Sequence, residues 1–99
     1  MDYKIMIQEF DGENFIVSAY DGEPMEIEGV QTIVGIVSGS WSVTDATTGL
    51  SLAKRETKEL AIDEAKKKLI KKRDQYDEKL DYMIEELKEN GIQVPVNPV

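Results

Sequence analysis

The side chains available for chemistry in this chain are carboxylates, lysines, four tyrosines and scattered hydroxyls, because it holds neither Cys nor His. Disulfides, thiol nucleophiles, the usual zinc sites and imidazole acid–base catalysis are thereby excluded. An enzyme would have to rest on convergent carboxylates of tuned acidity. The closely spaced acids Glu26/Glu28 and Glu85/Glu86 have instead the look of solvated faces, where most carboxylates sit. Two similar stretches, Phe10-Asp-Gly-Glu and Tyr20-Asp-Gly-Glu, carry oxygens that calcium could use. They lack the alternating acids and distal bidentate Glu of an EF-hand loop, and turn chemistry accounts for both. No catalytic residue, cofactor or metal ligand is assigned, and a non-enzymatic role is expected.

Charge is the more informative chemistry. The formal net charge is −8. Residues 1–50 carry nine acids against Lys4 alone, whereas residues 51–99 hold eleven acids and eleven bases. One-sided acidity of this kind can present a surface to a basic partner, or mimic the phosphates of a nucleic acid. The candidate acidic face is Glu9, Asp11, Glu13, Asp21, Glu23, Glu26 and Glu28. Lys66, Lys67, Lys68, Lys71, Lys72 and Arg73 form a basic girdle that would suit a phosphate backbone. The net charge opposes a polyanion, so nucleic acid stands as the alternative reading and a basic protein partner as the primary one.

These groups must be positioned by a small sheet and a helix. Ninety-nine residues make one domain with little core to spare. Apolar and β-branched runs predict strands at about Tyr3–Phe10, Phe15–Tyr20, Met25–Val30, Thr32–Val37, Trp41–Ala46 and Leu50–Ala53. Asp11-Gly12, Asp21-Gly22-Glu23-Pro24, Ser38-Gly39-Ser40 and Thr47-Thr48-Gly49 are the expected turns between them. Gly29 marks a bulge or a strand end, and Gly35 a place of close approach. Short connections favour antiparallel neighbours, which gives a meander of about five strands over residues 1–56. Trp41, the only Trp, is expected as a core anchor between sheet and helix.

From Thr57 to Gly91 no Gly or Pro interrupts the chain before its last position. One long helix is predicted over about residues 57–90, N-capped by Thr57 and stopped at Asn90-Gly91. The fold class is therefore α+β, an antiparallel meander followed by one C-terminal helix. Such a helix spans roughly 50 Å and would overhang its sheet. Its stripe Tyr76, Leu80, Met83 and Leu87 then needs a second copy of the chain, which predicts a homodimer. Residues 92–99, with Pro95 and Pro98, are expected as an extended tail, either loose or lying on a sheet edge. The opening MDYKIMIQEF lacks a basic n-region and a long apolar core, and no run is long enough to span a membrane. A cytoplasmic protein is expected.

The block Trp41-Ser-Val-Thr-Asp-Ala-Thr-Thr-Gly, followed by Thr57-Lys-Glu-Leu-Ala-Ile, resembles a pattern in small proteins of phages and other mobile elements. There a W-x-V-T…T-G hairpin leads into a T-K-x-x-A-I helix start. The likeness covers residues 41–62 and implies an accessory protein acting by binding, without catalytic residues or cofactor. The acidic first half and the long helical region lie outside it.

Overall fold

The computed structural model describes residues 2–8 and 14–98. Five strands come first: β1 (Asp2–Gln8), β2 (Asn14–Ile27), β3 (Val30–Val37), β4 (Ser40–Asp45) and β5 (Ser51–Arg55). Two helices follow, α1 (Lys58–Lys71) and α2 (Arg73–Glu89). The strands pair in chain order as an antiparallel meander, the α+β arrangement that short connections favour. The Asp11-Gly12 turn lies outside the described residues.

The second Asp-Gly-Glu stretch is not a turn. β2 runs straight through it for 14 residues and changes partner there. Residues 14–21 pair with β1, whereas Gly22–Ile27 pair with β3. The change curls the sheet so that β1 swings over the face of β3 that points away from the helices. Tyr20 locks this curl. Its hydroxyl bonds with Thr44 Oγ1 at 2.7 Å and donates to the Ile33 carbonyl at 3.3 Å. Its ring lies against Gly35, where a Cβ would fall 2.8 Å from Cδ2. The close approach expected at Gly35 is made by this ring. Tyr3, Ile5, Tyr20, Ile33 and Ala46 form a small core on that side.

Two-residue turns join β2 to β3 and β3 to β4. Glu28 and Gly29 have φ of 48° and 79°, and Ser38 and Gly39 have 52° and 82°. Positive φ at both central residues matches the right-handed strand twist, which is why such turns make tight hairpins. Gly29 thus ends a strand rather than marking a bulge.

The main core lies between the other sheet face and α1. Ile27, Val30, Val34, Val43, Leu52 and Ala53 meet Ala61, Ala65, Leu69 and Tyr76. Ala61 and Ala65 are fully buried, and their small side chains let α1 sit close on β4 and β5. Thr57 caps α1 as expected, its Oγ1 accepting from the Leu60 amide at 3.2 Å.

The single long helix is corrected to two. Lys72 leaves helical geometry, with φ −128° and ψ 38°, although no Gly or Pro requires it. A straight helix over residues 58–89 would run about 48 Å. The longest axis of the molecule is 35 Å. Bending at Lys72 keeps α2 on the protein, and no overhang remains. Tyr76, Met83 and Leu87 are buried within the one chain and Leu80 is half-buried, packed against the main core. The stripe that asked for a second copy is therefore covered by the chain itself, because tertiary burial outweighs the local preference for an unbroken helix.

α2 ends in a glycine motif. The Ile92 amide donates to the Leu87 carbonyl at 2.9 Å and Gly91, at φ 74°, to that of Lys88 at 3.0 Å. The tail then folds back. Val96 and Asn97 are buried, their amides donating to the carbonyls of Thr47 and Ala46. Asn97 also takes the Lys4 amide on Oδ1 and donates Nδ2 to the Lys4 carbonyl, both at 2.8 Å. The tail is thus a clamp on β1 and the β4–β5 loop.

Candidate functional site

The most strongly perturbed side chains are buried ones. Asp45, at the end of β4, is 1% exposed. Its carboxylate accepts from the Thr47 amide at 2.9 Å, from the Thr48 hydroxyl at 2.8 Å and from the Tyr76 phenol. Burial raises its pKa, and those three donors pull it back down. Burial, and then the Asp45 charge, push the Tyr76 phenol well above its ordinary range. Perturbed acids are a common mark of active sites. Here every polar atom of the group is engaged and the carboxylate is closed to solvent, so the pair works as a structural pin. It ties the first turn of α2 to the sheet.

An open groove lies at the opposite end of the helix face. Asp21, Gly22 and Glu23 of β2, Val34, Gly35 and Ile36 of β3, Trp41 of β4 and Lys58 of α1 line about 460 Å³. The alternation of strand side chains explains the grouping. Glu23 lies opposite Val34, which lies opposite Val43, and Ile36 lies opposite Trp41, so all project toward α1. α1 covers the inner part of this row and stops at Lys58, leaving the outer end uncovered. Ile36 is 52% exposed there. Trp41 is half-buried: it packs against the main core, and its exposed part forms one wall of the groove. The Lys58 ammonium lies 5.8 Å from the Trp41 ring centroid and pairs with Glu23.

The expected acidic face divides. Asp21 and Glu23 both reach the groove. Glu26 projects from the other side of β2, and Glu28 sits in the turn after it. Glu9, Asp11 and Glu13 lie outside the described residues. The basic girdle divides as well. Lys67 pairs with Asp63 at 3.1 Å, and Arg73 pairs with Asp77 at 3.1 Å while its Nη1 donates to the Glu28 carbonyl. Lys66, Lys68, Lys71 and Lys72 are exposed; Lys68, Lys71 and Lys72 follow at spacings of three and four and share one side at the end of α1, whereas Lys66 points away from them. Lys68 and Lys72 converge on a cleft beside β5 that also takes Lys79, and Lys71, Lys72 and Arg73 line a second concavity at the bend.

Ile36 and Lys58 were absent from the expected site. Ile36 was hidden in the continuous apolar run of β3, which gives no sign of where the covering helix stops. Lys79 was absent as well, because its place beside Lys68 depends on the bend at Lys72, which no local signal in the sequence marks.

Among the described residues no three acids cluster as a metal site, and no helix is long and apolar enough to cross a membrane. Compared with known proteins, the chain matches no family model, no curated protein and no solved structure.

Proposed function

We propose that this protein acts by binding another protein, taking a basic, partly apolar segment into the groove between Trp41, Ile36 and Lys58. The observation that carries this is the exposed Ile36 beside the single Trp, with Asp21 and Glu23 on the rim. Large apolar side chains at the centre of a patch and charge around them are the composition of a protein-binding hot spot. The acidic rim selects the partner's sign. Lys58 tunes access: it covers the Trp41 ring and occupies Glu23 until a basic side chain takes its place. The resemblance of residues 41–62 to accessory proteins of mobile elements points the same way.

Trp41 is its own reporter. Titration with a panel of amphipathic peptides bearing Lys or Arg beside Leu, Val or Phe should shift and quench its emission for a subset of the panel. Ile36→Asp, at an exposed position, should leave the fold intact and abolish the shift, and Glu23→Lys should do the same through charge. An emission that no basic peptide moves would dispose of this reading.

A further inference from the structure

A second surface lies at the far side of the sheet. β5 is the last strand in the order, and among the described residues its only ladder partner is β4, through Ser51, Ala53, Lys54 and Arg55. Among the described residues no backbone group bonds to the outer edge of Ser51–Arg55. An open edge is a template for another strand, and its amides and carbonyls are the adhesive. Proteins protect such edges by covering them, by keeping them short or by placing lysines on them, and a lysine that repels a like strand still admits an acidic one. Among the described residues the edge is uncovered and lies beside a cleft of about 210 Å³ between Leu50–Leu52 and the helix bend, lined by Lys68, Lys72, Gln75, Tyr76 and Lys79. Lys54 projects from β5 itself and is exposed. None of these four lysines forms an ion pair among the described residues, although the chain as a whole has far more acids than bases.

We propose that the β5 edge is a docking site for an extended acidic segment of a partner protein, which adds to the sheet as a sixth strand. Its carboxylates would lie against Lys68, Lys72 and Lys79, while its backbone pairs with residues 51–55. Charge determines the occupant. A second β5 would bring its own Lys54 and its own three overhanging lysines against these, so self-pairing is repelled. A neutral strand gains the backbone bonds but leaves four cations uncompensated at closer quarters. An acidic strand satisfies both. The bend at Lys72 is what makes the site, because it brings Lys79 of α2 back over the same edge as Lys68 of α1. This site is separate from the Trp41 groove and does not rest on it.

The test uses the full chain and a fluorescein-labelled, acetylated octapeptide alternating Glu with Val. Anisotropy should report saturable binding, weakened by about tenfold or more in Lys68→Glu/Lys72→Glu/Lys79→Glu. The single variants Lys68→Glu and Lys79→Glu, each at an exposed position, should weaken it in part and serve if the triple variant misfolds. A peptide of the same sequence with alternate amides N-methylated should not bind, because it cannot form the ladder. Hydrogen exchange should show protection confined to residues 51–55, with Trp41 emission unchanged. Three results would each overturn the proposal: no binding of the octapeptide, equal binding of the N-methylated form, or equal competition by an oligothymidylate of matched charge. The last two would mark a general polyanion surface.

Discussion

Asp45 and Tyr76 set the pH behaviour of the fold. Asp45 has a raised pKa in the folded state, so its contribution to stability is complete below the ordinary carboxylate value and is lost as pH rises through the folded one. Charge at this residue is thus tolerated rather than stabilising, and its hydrogen bonds are what matter. Asp45→Asn, which can still accept from Thr47, should retain most of the stability. Asp45→Ala should lose about 1–3 kcal/mol for each partner it orphans, measured by urea unfolding at neutral pH. Tyr76 and Tyr20 are also raised, chiefly by burial. Their contribution is complete below the unfolded tyrosine value of about 10 and is lost as pH rises above it. The urea midpoint should therefore fall steeply above about pH 10, and less so in Tyr76→Phe. Gly35 offers a steric counterpart. A Cβ there would lie 2.5 Å from the Asp21 carbonyl oxygen, and neither backbone segment can give way easily. Gly35→Ala should cost about 1–3 kcal/mol in the same assay.

Among elements, the two helices differ in what holds them. α1 is built into the core through Ala61, Ala65 and Leu69 and has a good N-cap in Thr57. Thr57→Ala should cost about 1 kcal/mol. α2 has no side-chain cap at its start, where Lys72 interrupts the helix. The Tyr76–Asp45 pin and the buried Met83 and Leu87 hold it in place instead. Leu87→Ala should destabilise by about 2–5 kcal/mol, as buried Leu truncations do. The same dependence explains why propensity misreads this region. From Lys58 to Glu89 every residue tolerates helix, and nothing local marks Lys72 as the bend. The strands show the converse. The Asp-Gly at residues 21–22 has turn chemistry, yet sheet pairing on both sides keeps it extended. A local turn signal competes with ladder hydrogen bonds and loses when both neighbours are present.

For the whole molecule, compactness removes the overhang on which the expectation of a second copy rested. The radius of gyration is 12.6 Å, close to the ~13 Å of a folded domain of this size. With the stripe on α2 buried in its own chain, Leu80→Glu/Leu87→Glu should unfold the protein instead of yielding a folded monomer. Circular dichroism beside light scattering distinguishes the two, and a folded monomeric variant from an oligomeric parent would restore the dimer reading. The surface that remains is bipolar. An acid-rimmed apolar groove lies at the free end of α1, and a lysine-lined strand edge lies beside the helix bend.

The sequence by itself determined the α+β class, the antiparallel meander, the Thr57 cap, the Asn90-Gly91 stop and the special place of Gly35. Each follows from short-range chemistry: side-chain alternation, a hydroxyl near free amides, or a residue without a Cβ. Only the tertiary structure decided that β2 runs through its second Asp-Gly, that the helix bends at Lys72 and that the tail clamps β1. It also decided which charges meet, dividing the acidic run between two sides of β2 and gathering Lys68 and Lys72 with Lys79. These outcomes depend on which surfaces can be buried together. That free energy belongs to contacts between residues far apart in the chain, such as Tyr76 with Asp45 and Asn97 with Lys4, and no local window contains both partners.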